Sequence, residues 1–418
     1  MMLLTLGYAL PEQRSLILLV FGLTYIGLAI GFVPGLKLDR VGIALLGAIA
    51  MLLVSGLTTE RTASLINWPT ILLLFGLFVI SSQLRLSGFY DRVAGMIAAR
   101  LDRPFAFLIL LMLVTAGLSA VLNHDIICFV FAPIVAAALL RKRINPVPFL
   151  VGLAIASNIG AAATLVGNPQ DMMIGQVAKL AFGKYWLWAI IPVLFALTGA
   201  VAIIWGLSRK KLTIVSHNVH PVKTAPYPYD HRHSMKGLII LAVVVILFFT
   251  SLPREVVALT AAAVHLASKK FKSSDLLRLV DWQILVLFLS LFVVAGAFQG
   301  TGYGEQAVQW LAHAGFDLQK PTVLVVITAA LSNLVDNSAA VILLLKVVHL
   351  GDPIVPYLLA LANSFGGSLI VIGSVSNLIV VQQASEMGVR ISFRDFARLG
   401  VPVTLMALGG LLAWVALV

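Results

Sequence analysis

The chain has 418 residues, of which 60% are hydrophobic and 11% are charged, and its formal net charge is +12. This composition excludes a soluble globular domain and predicts an all-α polytopic membrane protein in the lipid bilayer. Basic residues at the cytoplasmic ends of membrane helices account for the positive charge, so we expect no nucleic acid partner. The single cysteine, Cys128, excludes an intrachain disulfide.

Apolar stretches predict the membrane elements in chain order. Full crossings are predicted at 15–34, 41–57, 68–84, 185–207, 236–251, 255–267, 282–299 and 396–418. Two more crossings, 148–182 and 353–386, are predicted to be broken in the middle, where Gly, Asn and Ser interrupt them. The apolar pairs 104–141 and 321–350 have polar centres and are predicted to be re-entrant helical hairpins. Stretches 89–100 and 303–314 are predicted to be helices in the membrane interface.

The second half of the chain repeats the first at a shift of 206–214 residues. Matching positions include Trp68 with Trp282, Asn123 with Asp336, Gly160 with Gly366 and Gly167 with Gly373. Such a duplication predicts a transporter built from two halves around a central site. Each half has five crossings, counting its broken helix, plus one hairpin. Because five is odd, the halves are predicted to be inverted-topology repeats, 1–207 and 236–418, joined by a linker at 208–235.

Charge distribution predicts the orientation of these elements. The threading places about three quarters of the 29 lysines and arginines on one side, which is therefore predicted to be the cytoplasm. A multi-pass protein of the inner (plasma) membrane is expected, with a cytoplasmic linker and both termini periplasmic or extracellular. His217, His220, His231 and His233 of the linker lack the spacing of a metal site, so no firm metal centre is expected.

Three acidic residues, Asp125, Asp171 and Asp336, lie inside apolar segments. An ionisable group at membrane depth costs about 2.5–3.5 kcal/mol on insertion scales, which favours a functional role. Asp125 and Asp336 occupy the hairpin centres, whereas Asp171 follows the first break and is the weaker candidate, with a capping role as the alternative. A hairpin that crosses fully and leaves its acid in water is the alternative for the other two.

Polar neighbours extend this prediction to a shared ion site. Unwound backbone frees carbonyl groups for a cation and exposes helix N-termini that favour an anion, although a kink without a ligand is the alternative. The predicted binding residues are Asn123, His124, Asp125, Ser157, Asn158, Thr164, Gly167, Asn168, Pro169, Asp336, Asn337, Ser338, Asn363, Ser364, Gly373, Ser374 and Asn377. Asn123, Asp125, Asp336 and Asn337 are the candidates for binding Na⁺. Asp125 with His124 is the candidate for carrying a proton.

The runs Asn123-His124-Asp125, 156–160 and 164–170 together resemble the signature of the ion transporter superfamily. The chain is most similar to arsenite-permease-like and NhaD-type sodium/proton antiporter-like permeases, and sodium/dicarboxylate symporters are more distant. The resemblance implies inverted repeats, a mobile transport domain with elevator-like movement, and a scaffold that forms a homodimer. The dicarboxylate symporters have Ser-Asn-Thr at both hairpin tips, so their sodium sites do not carry over to this chain.

The leading functional hypothesis is a secondary active transporter for a small inorganic ion or an oxyanion such as arsenite, coupled to H⁺ or Na⁺. A Na⁺/H⁺ antiporter of the same superfamily is one alternative, and an ion channel with duplicated re-entrant hairpins is another. An enzyme is not expected, because the sequence has no His-Glu-x-x-His run and no Gly-x-Ser-x-Gly elbow. No cofactor other than the coupling ion is expected.

Overall fold

The computed structural model describes residues 11–31, 35–209 and 227–418. The predicted outward N-terminus, the end of the first predicted crossing and most of the linker, with His217 and His220, lie outside the described residues. All regular secondary structure in the described ranges is helical.

The described part of the first half contains ten α-helices. They are α1 (Pro11–Ile30), α2 (Arg40–Ser55), α3 (Thr59–Leu65), α4 (Trp68–Leu86), α5 (Phe89–Ala98), α6 (Pro104–Ser119), α7 (His124–Arg141), α8 (Val147–Ala161), α9 (Pro169–Val177) and α10 (Phe182–Ser208). Hairpin 1 is formed by α6 and α7 and its tip is 123–125. Break 1 is 162–168, between α8 and α9.

The second half has the same succession of elements. They are α11 (His231–Leu247), α12 (Arg254–Leu266), α13 (Ser273–Arg278), α14 (Trp282–Gln299), α15 (Tyr303–His313), α16 (Pro321–Leu334), α17 (Asn337–Val347), α18 (Val355–Gly366), α19 (Val375–Glu386) and α20 (Phe393–Leu417). Hairpin 2 is formed by α16 and α17 and its tip is 336–338. Break 2 is 367–374 and includes a short 3-10 helix, Val371–Gly373.

Six helices in the described ranges are long and apolar enough to cross a membrane by length and composition: α1, α4, α7, α10, α14 and α20. The predicted all-helical membrane architecture is therefore confirmed. Helices α3 and α13 were not predicted, because each is short and lacks a long apolar run. Helix α11 begins at His231, five residues before the predicted start of its crossing.

Local sequence signals explain why equivalent helices begin at equivalent places. Asn67 and Asp281 are the N-caps of α4 and α14, and their side chains accept hydrogen bonds from the amides of Thr70 and Ile284 at 3.0 and 3.1 Å. Gly88 and Gly302 precede α5 and α15 with φ of +69° and +79°. Glycine adopts this left-handed conformation without a steric penalty, so the chain can turn sharply there.

The helices divide into a peripheral set and a central set. Helix α4 packs against α11 and α12, and the equivalent α14 packs against α1 and α2. The two hairpins, the two broken helices, α10 and α20 pack mainly against one another. In each half, the first hairpin helix approaches the helix before the break through a glycine. An added Cβ at Gly160 would collide with the backbone of Ala116, and one at Gly366 would lie 2.8 Å from the Cα of Ala329.

Candidate functional site

The tip of hairpin 1 is fixed to both breaks. Asn123 is the N-cap of α7, and its side-chain oxygen accepts from the amide of Asp125 at 2.8 Å. The His124 ring lies with Nδ1 3.2 Å from the carbonyl oxygen of Gly167 in break 1. The Asp125 carboxylate accepts a 2.7 Å hydrogen bond from the hydroxyl of Ser376, just after break 2. The tip of one half is therefore held in part by the other half.

The tip of hairpin 2 is capped in the same way as the tip of hairpin 1. Asp336 is the N-cap of α17, and its carboxylate accepts from the amide of Ser338 at 2.9 Å. The Ser338 hydroxyl accepts a 2.8 Å hydrogen bond from the side-chain amide of Gln170, just after break 1. The second carboxylate oxygen of Asp336 lies 3.5 Å from the guanidinium of Arg40.

These two tip contacts join equivalent positions of the repeat. Ser338 corresponds to Asp125, and Ser376 corresponds to Gln170. Each hairpin tip therefore bonds to the first turn of the half-helix that follows the opposite break.

A second set of equivalent hydrogen bonds joins the two broken helices. Asn158 donates to the side-chain oxygen of Asn377 at 3.0 Å and accepts from the Ser374 hydroxyl at 3.0 Å. The corresponding residue in the other half, Ser364, accepts from Asn168 at 3.0 Å. The Ser364 hydroxyl also donates to the Asp171 carboxylate at 3.3 Å. Two hydrogen bonds therefore join the halves at Asn158, and two more join them at the equivalent residue Ser364.

Asp171 does not cap the half-helix after break 1. Asn168 is the N-cap of α9, because its side-chain oxygen accepts from the amide of Asp171 at 2.7 Å. The Asp171 carboxylate is fully buried and accepts a 2.7 Å hydrogen bond from the Asn168 side-chain amide. The capping alternative is therefore wrong for Asp171, which instead links the cap to Ser364 of the other half.

The tips and the starts of α9 and α19 enclose a small central cavity of about 40 Å³. Its lining residues are His124, Asp125, Pro169, Gln170, Ile284, Leu287, Asp336, Asn337, Ser338, Ser374 and Val375. This space exceeds the roughly 10–15 Å³ that one water needs. It contains two carboxylates and one imidazole but no lysine or arginine, so its charge balance is acidic.

Seven of the residues predicted from the sequence line this cavity: His124, Asp125, Pro169, Asp336, Asn337, Ser338 and Ser374. The others do not line it: Asn123, Ser157, Asn158, Thr164, Gly167, Asn168, Asn363, Ser364, Gly373 and Asn377. Asn123 is buried at the tip of hairpin 1, and the rest are buried in or beside the breaks. Thr164, for example, donates its hydroxyl to the carbonyl of Ala120. Within the described ranges, no group of three or more His, Cys, Asp or Glu side chains is placed to hold a metal ion.

Gln170, Ser376 and Arg40 contact the hairpin tips but were not among the predicted site residues. Gln170 and Ser376 occupy equivalent positions two residues after the ends of the breaks, and this equivalence was the available signal. Arg40 begins α2, and a basic residue at the end of a membrane helix is ordinarily a solvated charge. The apolar lining residues Ile284 and Leu287 come from α14 and carried no signal.

A larger cavity of about 350 Å³ lies beside hairpin 1. Its lining includes Arg85, Ile126, Arg278 and Asp281, and we name it the arginine vestibule. Ile126 follows Asp125 directly, so only the first turn of α7 separates the vestibule from the central cavity.

Comparison with known proteins finds similarity to membrane transporters. The family model described as CitMHS, citrate transporter, matches residues 16–350. An uncharacterized transporter of Mycobacterium tuberculosis is 31% identical over 82% of this chain and 84% of its own length. The silicon efflux transporter LSI3 of rice (Oryza sativa subsp. japonica) is 24% identical over 92% of this chain and 94% of its own length.

Solved structures share the fold at low sequence identity. The YdaH transporter of Alcanivorax borkumensis superposes with a TM-score of 0.58 at 16% identity and covers 97% of both chains. MtrF of Neisseria gonorrhoeae superposes with a TM-score of 0.57 at 13% identity and covers 99% of this chain and 95% of its own.

The family match covers most of the chain, and its relatives are named as transporters. The predicted kinship with anion permeases of the ion transporter superfamily is thereby confirmed. The protein is a multi-pass membrane transporter and belongs to the CitMHS citrate transporter family.

Proposed function

We propose that this protein is a secondary active transporter that moves a small inorganic ion or oxyanion across the inner membrane, coupled to H⁺ or Na⁺. The observation that carries the proposal is the central cavity, which both hairpin tips and the starts of both second half-helices line together. Polar sites built from helix breaks near the interface of two repeats are typical of secondary transporters. Membership of a transporter family supports the same class of function.

The topology belongs to this proposal. We infer two inverted repeats, 1–207 and 236–418, each with five crossings and a re-entrant hairpin, joined by a cytoplasmic linker at 208–235. The equivalent tip contacts of Asp125 and Ser338 support the repeat. The excess of basic residues on one side supports the orientation, with both termini outside. The arginine vestibule then opens to the cytoplasm, and the conformation is inward-facing.

The charges around the central cavity favour a cation as its occupant, or an oxyanion that enters in its protonated, uncharged form. Asp125 and Asp336 line the cavity, and the nearby Arg40 is already paired with Asp336. A citrate anion would meet two carboxylates in a space of about 40 Å³ unless a cation accompanied it. The rice relative is named for silicon efflux. Silicic acid and arsenous acid are both small and hydroxylated, and their hydroxyl groups can donate hydrogen bonds to carboxylates.

Asp125 and His124 are the proposed carriers of the coupling ion. The Nε2 atom of His124 lies 3.6 Å from the Asp125 carboxylate, and both side chains are buried. A carboxylate in this position can bind Na⁺ or exchange a proton with the adjacent imidazole.

The division of the helices supports an elevator-type movement. The central set would form the mobile transport domain and the peripheral set, with α1, α2, α4, α11, α12 and α14, would form the scaffold. We include a homodimer, joined through the scaffold, in the proposal.

A Na⁺/H⁺ antiporter of the same superfamily is the second candidate, and the two carboxylates of the cavity favour it. A channel is the alternative from another class. The two are separated by coupling, because an antiporter exchanges ions at a fixed ratio and a channel conducts down any gradient.

Purified protein in liposomes tests the proposal. Flux of arsenite, silicic acid and citrate, the last with and without Mg²⁺, is measured under an imposed pH or Na⁺ gradient. The proposal predicts uphill accumulation of an oxoacid driven by one of the two gradients. Exchange of Na⁺ for H⁺ with no oxoacid flux would favour the antiporter. A current that needs no coupling ion would contradict the proposal.

A further inference from the structure

Arg40 forms the ion pair of the second hairpin tip. It is the first residue of α2, and its guanidinium lies 3.5 Å from the Asp336 carboxylate. The Arg40 and Asp336 side chains are only 18% and 6% exposed. The same hairpin is fixed to α1 by the Tyr25 hydroxyl, which donates to the carbonyl of Ala339 at 3.2 Å. Hairpin 2 is thus attached to the helices that we propose as scaffold.

Arg254 is the equivalent residue of the second half, since it is the first residue of α12 at the 214-residue shift that also relates Trp68 to Trp282. It does not contact a hairpin tip. Its guanidinium donates to the carbonyl oxygens of Gly175 and Leu180 at 3.1 and 3.0 Å, at the C-terminal end of α9. A cation is favourable there because helix carbonyls at this end carry partial negative charge.

The C-terminal end of α19 offers the same kind of site. The amide of Leu180 donates to the carbonyl of Gly175 at 3.0 Å, and the amide of Val389 donates to that of Ala384 at 2.9 Å. The preceding residues, Lys179 and Gly388, both have left-handed backbone, with φ of +50° and +80°. The ends of α9 and α19 therefore have the same local structure.

Arg40 and Arg254 are equivalent residues of the two halves, but they bind different kinds of partner. Each half nevertheless contains both kinds of partner, a hairpin tip and a helix end with free carbonyls. Arg40 lies at a hairpin tip, whereas Arg254 lies at the end of a broken helix. Two inverted repeats that adopt different arrangements in one state can exchange these arrangements in the opposite state. In that state Arg254 would lie at Asn123 of tip 1, and Arg40 would lie at the carbonyls of Ala384 and Val389.

We propose that Arg40 and Arg254 exchange these places during transport. In the present conformation Arg40 occupies the position beside Asp336 that Na⁺ takes in the opposite conformation, and it thereby displaces Na⁺ from Asp336. The inference rests on the proposed transport function. A nearly buried carboxylate needs a positive partner, so Asp336 pairs with Arg40 in one state and with the transported cation in the other. Because α2 belongs to the proposed scaffold, this exchange assists release of the cation on the cytoplasmic side.

Thiol cross-linking tests the exchange of places. In a Cys128→Ala background, R40C/D336C and R254C/L180C report the present state, and R40C/V389C and R254C/N123C report the opposite state. A short bifunctional methanethiosulfonate is applied to membranes. In every pair, one residue lies before 210 and the other lies after 226, and a protease site is inserted between these positions. After cleavage at that site, cross-linked halves run together on a denaturing gel, whereas halves that are not cross-linked separate.

All four pairs are expected to cross-link, and R40C paired with a cysteine at the exposed Ile246 position, which lies beyond the protease site near the other end of its own helix α11, is the negative control. If the background protein transports but neither opposite-state pair cross-links, the exchange is wrong while the proposed function stands. If the background protein shows only uncoupled current, the proposed function itself is wrong and this inference falls with it.

Cation binding tests the role of Arg40 independently of cross-linking. Removal of a competing cation should tighten Na⁺ binding, whereas structural damage should weaken it. Arg40→Gln is expected to bind Na⁺ about tenfold more tightly than the natural protein in a thermal-shift titration, and Arg40→Lys to remain near the natural value. Unchanged or weaker Na⁺ binding in a folded, monodisperse Arg40→Gln protein would overturn the displacement of Na⁺ by Arg40.

Discussion

The hydroxyl of Ser376 donates a 2.7 Å hydrogen bond to the carboxylate of Asp125, across the boundary between the two halves of the chain. A donor of this kind satisfies one carboxylate oxygen and fixes the orientation of the side chain. The equivalent bond, from Gln170 to Ser338, joins two uncharged groups at 2.8 Å. One half of the protein therefore has a carboxylate in its tip contact, and the other half has a hydroxyl group.

Replacement of Ser376 should weaken binding of the coupling ion. Ser376→Ala removes the donor that orients the Asp125 carboxylate, so half-maximal uptake should need a coupling-ion concentration about tenfold higher, which corresponds to about 1.4 kcal/mol. Gln170→Ala is the matched control, because it removes the equivalent bond between two uncharged groups and should change this concentration less. Proteoliposome uptake over a range of coupling-ion concentrations measures both. Equal changes in the two variants would count against a special role for the Asp125 contact.

The second prediction concerns the close approach of α6 and α8. A Cβ at Gly160 would collide with the backbone of Ala116, whereas a Cβ at Gly117 would meet nothing within 4 Å. Gly160→Ala should therefore lower the free energy of unfolding by about 1–3 kcal/mol, the usual cost of overpacking. Gly117→Ala, its neighbour-helix control, should unfold at or slightly above the natural temperature. Thermal unfolding in detergent compares the two variants. Equal melting temperatures would show that the contact of Gly160 with Ala116 does not contribute to stability.

Local patterns predicted most of the fold. Hydrophobic length placed α14 at its observed bounds, and the equivalence of Asn123 and Asp336 located both hairpin tips. Helices α3 and α13 have only seven and six residues and no long apolar run, so hydrophobic length could not reveal them.

The contacts of the site were less predictable, because they join residues far apart in the chain. Asp125 and Ser376 are 251 positions apart, and nothing local to either residue specifies the other. Arg40 lies at the start of α2, where a solvated basic residue is the ordinary outcome. Its pairing with Asp336 depends on the packing of α2 beside hairpin 2, which only the assembled structure supplies.

The third prediction concerns Asp230, the N-cap of α11, which lies outside the membrane-spanning segments. A hydrogen bond from Lys270, together with one from the amide of His233, lowers the pKa of the Asp230 carboxyl. A carboxyl whose folded-state pKa is lowered adds stability above its unfolded pKa and loses that contribution as the pH falls. Asp230→Asn should therefore melt below the natural protein at pH 7, and the difference should shrink below about pH 4.

Melting curves at several pH values measure this difference. Lys270→Ala removes the same ion pair from the other side, so the double variant should melt close to either single variant. A difference that grows on acidification would contradict the sign of the effect.

The central claim is that a carboxylate in the shared cavity couples ion binding to transport, and the most direct test is gradient-driven accumulation by Asp125→Asn in proteoliposomes. Asparagine keeps the shape of the side chain and removes its charge and titration. The natural protein should concentrate its substrate in proportion to the imposed H⁺ or Na⁺ gradient. Folded Asp125→Asn should accumulate nothing above equilibrium, or should do so without dependence on pH, whereas Asp336→Asn should require a higher coupling-ion concentration. Unchanged, pH-dependent accumulation by Asp125→Asn, with no activity in Asp336→Asn, would contradict the account and assign coupling to the second hairpin.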